Sequence, residues 1–141
     1  MPFFLGLDLG EKRLGVAVSD ESGIMAMPVA TIEFRGRKEL SAEITKLAGE
    51  YRPRAIVVGL PKTLKGEAGP AAKKIMAEVG RLKKEIPAEW VLWDERFSTA
   101  EVERMLVDAG VRRERRRQVR DQLAAQRILQ NYLDCLKHGQ G

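Results

Sequence analysis

The feature that most constrains the fold is a run of four apolar residues, 55–58, between two amphipathic segments. Apolar residues recur at helical spacing in residues 38–51 before the run and in residues 71–86 after it. A strand without polar alternation is typical of a parallel strand that is covered on both faces. Parallel strands need crossover connections, and helices usually provide them. The pattern therefore predicts an α/β sheet with helices on its faces.

The first part of the chain predicts three strands without intervening helices. Residues 3–9 and 14–19 are apolar runs, and the short polar segment between them favours an antiparallel hairpin. Residues 26–32 form a third candidate strand, which Pro28 places at the edge of the sheet. These segments predict a three-stranded meander.

The last part of the chain predicts one more strand and two more helices. Residues 90–93 have the length and apolar character of a strand. Residues 98–110 predict a helix that opens with capping-box spacing and ends at a glycine, and residues 119–137 predict the last helix. We therefore expect one α/β domain over residues 1–141. Its mixed five-stranded sheet has three antiparallel strands followed by two parallel strands, and helices flank it.

Composition narrows the class of protein. One cysteine, Cys135, and one histidine, His138, provide neither a disulfide nor a zinc-binding set, so a zinc nuclease is excluded. The apolar residues 1–7 are followed by Asp8 and lack a basic flank. This predicts neither a signal peptide nor a membrane span, and we expect a cytoplasmic protein. A net charge of +5, with the basic excess after residue 50, makes nucleic acid a candidate partner.

Acidic residues occur at three places in the sequence where their neighbours are apolar and a carboxylate has no evident structural role. Asp8 lies among leucines near the end of the first strand, where burial of an unpaired carboxylate is costly. Asp94 and Glu95 follow the fifth strand, and at most one of the pair shares a given face because side chains alternate. Asp121 precedes apolar residues at helical spacing, so its carboxylate is expected to face the sheet.

Structural explanations compete with a functional one at each position. A solvated strand end accounts for Asp8, and pairing with Arg96 accounts for one member of the acidic pair. The positive end of the helix dipole accounts for Asp121 if the last helix begins at residue 119. If the three acids instead meet at one sheet edge, their oxygen-only ligand set suits Mg²⁺ or Mn²⁺. Such clusters hold two metal ions and hydrolyse phosphodiester bonds.

Four sequence motifs occur in order along nearly the whole chain. They are Gly6-Leu7-Asp8-Leu9-Gly10 with Lys12-Arg13-Leu14-Gly15-Val16-Ala17-Val18-Ser19-Asp20, Ile56-Val57-Val58-Gly59-Leu60-Pro61, Trp93-Asp94-Glu95-Arg96, and Val119-Arg120-Asp121 before Ala124-Ala125. In these motifs the chain resembles the ribonuclease-H-like superfamily, and closely the bacterial family of Holliday-junction-resolvase-like proteins, also described as pre-16S rRNA nucleases. The resemblance implies a ribonuclease-H-like fold and assigns metal binding to Asp8, Glu95 and Asp121.

The loop after Pro61 departs from the family pattern. The family usually has Asn-x-x-Gly there, whereas this chain has Thr63 at the asparagine position and Gly66 three residues later. A threonine hydroxyl and the neighbouring Lys62 can both still contact a phosphate. The role of this loop therefore stays open.

The densest cationic stretch of the chain comes directly before Asp121. Its members are Arg112, Arg113, Arg115, Arg116, Arg117 and Arg120. Beside a metal site these arginines would hold phosphates on either side of the scissile bond, whereas in a solvated loop they would serve solubility alone. The expected nucleic-acid-binding residues are these six arginines together with Lys12, Arg13, Lys62 and Arg96.

Three classes of function remain to be compared. The strand-turn-strand opening at Asp8 also resembles the phosphate loop of actin-like ATPases, but those enzymes close two such domains on a nucleotide. A catalytically silent RNA-binding module would use the basic surface without the carboxylates. We expect a metal-dependent endonuclease that processes the 5′ end of precursor 16S rRNA, with resolution of four-way DNA junctions as the alternative. Resolution would require a dimer with two active sites, and no dimer seam is evident, so we expect a monomer or weak homodimer.

Overall fold

The structure is a computed structural model that describes residues 3–61, 69–95, 107–110 and 112–139. The strands are β1 (Phe3–Leu9), β2 (Arg13–Ser19), β3 (Ala26–Glu33), β4 (Pro53–Pro61) and β5 (Trp90–Glu95). The helices are α1 (Gly36–Tyr51), α2 (Pro70–Glu85) and α3 (Arg113–Gly139). Within the described ranges no helix combines the length and the hydropathy that crossing a bilayer requires.

The five strands form one mixed sheet in the order β3-β2-β1-β4-β5. The pairs β1–β2 and β2–β3 are antiparallel, and β4 runs parallel to both β1 and β5. This confirms the predicted meander followed by two parallel strands, and β3 with Pro28 lies at the sheet edge as predicted. The carboxyl ends of β1, β4 and β5 consequently meet at one end of the sheet.

Strand β4 contributes to two hydrophobic cores. Ile56 and Val58 are fully buried among residues of α1 and α2 on one face of the sheet. Val57 is fully buried on the other face, where Ala125 and Leu129 of α3 cover it. Because consecutive side chains of a strand point to opposite faces, a strand between two cores needs apolar residues at every position. This arrangement explains the uninterrupted apolar run.

The predicted start of the last helix is wrong. Helix α3 begins at Arg113 rather than at residue 119, so Asp121 lies more than two turns inside it. The helix dipole acts mainly within the first turn, and it therefore does not account for Asp121. Strand β5 also extends to Glu95, which makes Asp94 part of the strand.

The predicted helix over residues 98–110 lies mostly outside the described residues. Its described end includes Gly110, whose φ of 76° is left-handed and whose amide donates to the carbonyl oxygen of Val107 at 2.9 Å. This geometry is typical of a glycine that ends a helix, as the sequence predicts at this position.

Helix α3 crosses the sheet at very short range. A Cβ atom on Gly6 would lie 2.7 Å from the Cβ of Leu129 and 3.0 Å from the carbonyl oxygen of Ala125. Two glutamines tie the helix to the start of β3. Gln126 Nε2 donates to the carbonyl oxygen of Ala26 at 3.0 Å, and the Ala26 amide donates to Gln130 Oε1 at 2.8 Å. These contacts fix the position of α3 along the sheet.

We predict that Gly6→Ala lowers the free energy of unfolding by about 1–3 kcal/mol, because the added methyl group overpacks the contact with α3. The control is Gly80→Ala in α2, where no atom beyond the neighbouring residues and backbone of the helix itself lies within 4 Å of the added Cβ. That substitution should raise stability by about 0.5–1 kcal/mol, since alanine favours a helix over glycine. Urea unfolding of both variants measures the difference, and equal stabilities would contradict the close approach.

Candidate active site

Strand β1 places Asp8 on the face of the sheet that α3 covers. Asp8 pairs with Gly15 of β2, and Gly6 pairs with Ala17, which belongs to the core under α3. Leu7 belongs to the opposite core, as side-chain alternation requires. Asp8 is half-buried near the end of its strand. Asp8 therefore lies at the end of the sheet where the carboxyl ends of β1, β4 and β5 meet.

Gly15 brings Asp121 to the same place. A Cβ on Gly15 would lie 2.1 Å from the carbonyl oxygen of Asp121 and 3.3 Å from its Cβ, so only glycine fits under the helix there. Gly15 stands opposite Asp8 in the β1–β2 ladder. The missing side chain thus places α3 directly beside Asp8. Glycine inside a strand is a sequence signal of close backbone approach, but it does not identify the approaching residue.

Asp8 and Asp121 line one cavity of about 250 Å³. Its lining residues are Asp8, Gly10, Glu11, Lys12, Arg13 and Asp121. A second cavity, of about 610 Å³, also borders Asp8 and extends between α1 and α2. The first-strand and last-helix aspartates, which the sequence predicts to lie together, therefore border the same cavity.

The closest described partner of Asp121 is a cation. Arg13 Nε donates to Asp121 Oδ2 at 2.9 Å, and the two side chains are 31% and 15% exposed, respectively. Sequence reasoning assigned Arg13 to nucleic acid and did not anticipate this ion pair. The two residues are 108 positions apart, and no local pattern links them.

Glu95 is the last residue of β5 and pairs in register with Pro61. Strand alternation assigns position 95 to the same face as Val91 and Trp93, which pack against the core under α3. Asp94 occupies the opposite parity and is exposed. Because β4 separates β5 from β1, the two strands lie about 10 Å apart. The side chain of Glu95 is outside the described part of the structure.

The remaining predicted residues are described to different extents. Lys12, Arg112 and Arg115 are exposed. Positions 113, 116, 117 and 120 belong to α3, although the structure does not describe the side chains of Arg113, Arg116, Arg117 and Arg120. Lys62 and Arg96 lie outside the described residues.

The donor chemistry of the cavity fits a hard divalent cation. Asp8 and Asp121 offer carboxylate oxygens, the ligands that Mg²⁺ and Mn²⁺ prefer. Within the described residues no group of three or more His, Cys, Asp or Glu side chains could hold a metal ion. A complete site therefore needs a further ligand besides these two carboxylates.

Comparisons with known proteins identify the family and agree with this fold. The family model described as "RuvX: Holliday junction resolvase" matches residues 3–135. A "Putative pre-16S rRNA nuclease" of Desulforudis audaxviator is 42% identical over 135 residues, covering 96% of both chains. The protein of the same name from Geobacillus sp. (strain WCH70) is 47% identical over 133 residues, covering 92% of this chain and 96% of its own.

Two solved structures share the fold at lower identity. Thermus thermophilus RuvC in complex with a Holliday junction substrate has a TM-score of 0.58 and 15% identity, covering 98% of this chain and 97% of its own. Fowlpox virus resolvase in complex with Holliday junction DNA has a TM-score of 0.59 and 12% identity, covering 95% and 98%. These neighbours confirm the ribonuclease-H-like architecture. Since the family model and the relatives both extend over almost all of the sequence, the chain belongs to the RuvX family of nucleases.

Proposed function

We propose that this protein is a metal-dependent endonuclease that processes the 5′ end of precursor 16S rRNA in the cytoplasm. The observation that carries the proposal is the meeting of Asp8 and Asp121, from β1 and α3, on one cavity at the end of the sheet. Glu95 is the proposed third carboxylate because its position has the same strand parity as Trp93 at that end of the sheet. The three residues would hold Mg²⁺ or Mn²⁺, as two ions.

The chain's own residues position the reacting groups. Two divalent ions, when bound, activate a water molecule and stabilise the leaving oxygen. Asp8 on a central strand and Asp121 on a helix packed against that strand supply oxygen ligands from rigid elements. Attack of water on phosphorus breaks the bond to the 3′ oxygen, which leaves a 3′-hydroxyl and a 5′-phosphate.

The arginine segment is suited to holding the substrate backbone. Eight residues of α3 precede Asp121 and span about 12 Å of helix. Asp121 lies over Gly15 of β2, which pairs with Asp8 near the end of β1. We therefore propose that the helix residues before Asp121 continue past that end of the sheet. A cationic helix that projects past the carboxylates can contact phosphates on either side of the scissile bond. Lys12, Arg13, Lys62 and Arg96 are proposed to add to this surface.

The names of the relatives favour RNA as the substrate. The two relatives that share 42% and 47% identity with the chain are both named for pre-16S rRNA. The family description favours the alternative, a Holliday-junction resolvase. Symmetric junction cleavage needs two active sites, whereas rRNA processing needs one, so we propose a monomer or weak homodimer.

We predict that Asp8→Asn, Glu95→Gln and Asp121→Asn each reduce cleavage of an end-labelled precursor 16S rRNA 5′ leader at least about 100-fold in Mg²⁺ or Mn²⁺. The control is Asp94→Asn, which removes a charge on the opposite face of β5 and should retain cleavage. Circular dichroism checks that each variant is folded. Metal-dependent cleavage by Asp8→Asn at the wild-type rate would remove that residue from the site.

The same assay distinguishes the three classes of function. A synthetic four-way DNA junction is incubated beside the RNA, with each metal and with a chelator. Paired symmetric cuts in the junction, with the RNA intact, would replace the rRNA proposal with the resolvase. Binding of the RNA without cleavage under any metal condition would indicate a non-catalytic RNA-binding module.

We also predict that neutralising Arg115, Arg116 and Arg117 to glutamine weakens RNA binding and flattens its salt dependence. Each lost phosphate contact should reduce the slope of log K against log salt by about 0.7–0.9. The matched control neutralises Lys46, Lys83 and Lys84, which lie toward the carboxyl ends of α1 and α2, away from the site. Fluorescence anisotropy at several salt concentrations measures both slopes. Equal slopes for the two triple variants would assign the arginines to solvation.

A further inference from the structure

The ion pair between Arg13 and Asp121 occupies a carboxylate that the proposed function needs. Arg13 Nε lies 2.9 Å from Asp121 Oδ2, and Asp121 is only 15% exposed. This contact is more sheltered than most surface ion pairs, so solvent screens it less. A metal ion that binds the same oxygen would meet the guanidinium charge within a few ångströms. Arginine and metal therefore compete for Asp121.

The backbone of Arg13 is held in place, while its side chain borders a second cavity. The Gly10 amide donates to the carbonyl oxygen of Arg13 at 3.0 Å, and Arg13 pairs with Glu33 of β3. Another cavity, of about 370 Å³, borders Arg13 and is also lined by the acidic residues Glu33 and Glu39. A rotation of the side chain toward this cavity would move the guanidinium away from Asp121 without any change in the backbone.

We propose that Arg13 is a built-in counter-ion, which neutralises Asp121 in the metal-free protein and is displaced from it when a metal ion binds. This inference rests on the proposed function, because it takes Asp121 to be a metal ligand. Arg13 would then neutralise Asp121 before substrate binds, in addition to any contact that it makes with phosphate. The displaced guanidinium remains in the same part of the molecule, next to Lys12, where the substrate backbone would lie.

The first test is calorimetric titration of Mn²⁺ into metal-free protein. Arg13→Gln removes the competing charge and should bind Mn²⁺ roughly three- to tenfold more tightly than wild type, the range expected for a sheltered ion pair. Arg13→Lys keeps the charge and should remain close to wild type. The matched control is Arg35→Gln, which removes an equal charge from an exposed residue that borders the same 370 Å³ cavity. A similar tightening in Arg35→Gln would assign the effect to net charge and overturn the inference.

Thermal unfolding provides a second measurement that does not depend on catalysis. In chelator, Arg13→Gln should unfold at a lower temperature than wild type, because the sheltered Asp121 carboxylate loses its partner. Saturating Mn²⁺ should then raise the Tm of Arg13→Gln more than that of wild type, as tighter binding requires. Equal shifts in the two proteins would contradict the competition.

Asp121→Asn separates this inference from the proposed function. Loss of Mn²⁺ binding in Asp121→Asn, together with unchanged affinity in Arg13→Gln, would overturn only the counter-ion. Wild-type Mn²⁺ affinity in Asp121→Asn would instead remove Asp121 from the metal site, and the counter-ion would fall with it. Tighter binding in Arg13→Gln and weaker binding in Asp121→Asn would support both.

Discussion

The close packing of α3 on β1 and β2 is the constraint on which the rest of the structure depends. Gly6 and Gly15 leave no Cβ in the space that the helix occupies, and the backbone of Asp121 lies directly over Gly15. A helix held farther from the sheet would leave Asp8 and Asp121 on separate surfaces. Protein interiors are close-packed and transmit small displacements, so the geometry of the carboxylates is set by two missing side chains. The packing of α3 on Gly6 and Gly15 therefore determines both the fold and the placement of the candidate site.

Much of the fold could be predicted because the pattern of apolar residues along the sequence follows which faces of each strand and helix are buried. The uninterrupted apolar run of β4 predicts a strand buried on both faces, and Pro28 predicts that β3 is an edge strand. The structure confirms both predictions. The start of α3 was missed for the same physical reason. Its first two turns are rich in arginine and lack apolar residues at helical spacing, so they leave no helical periodicity to detect.

The candidate site was predictable as a set of residue types but not as a set of contacts. Asp8 and Asp121 stood out because carboxylates are costly among apolar neighbours. The ion pair between Asp121 and Arg13 could not be predicted, because Arg13 lies 108 positions away in the sequence. The two side chains meet only when α3 packs on the sheet. Gly15 carried a partial signal, because glycine in a strand indicates that another backbone comes close. Which backbone comes close is a property of the tertiary fold.

Charge balance connects the ion pair with the chemistry of the site. Asp8, Glu11 and Asp121 share a small cavity, and like charges at short range oppose folding unless cations offset them. Lys12 in the turn between β1 and β2 and Arg13 at the start of β2 supply that positive charge. In the proposed mechanism a divalent ion would add positive charge, and a polyanionic substrate would then offer phosphates to the displaced arginine. Without metal, two cations thus offset most of the charge of the three carboxylates that line the cavity. With the proposed ions bound, the cavity would carry net positive charge, which suits a polyanionic substrate.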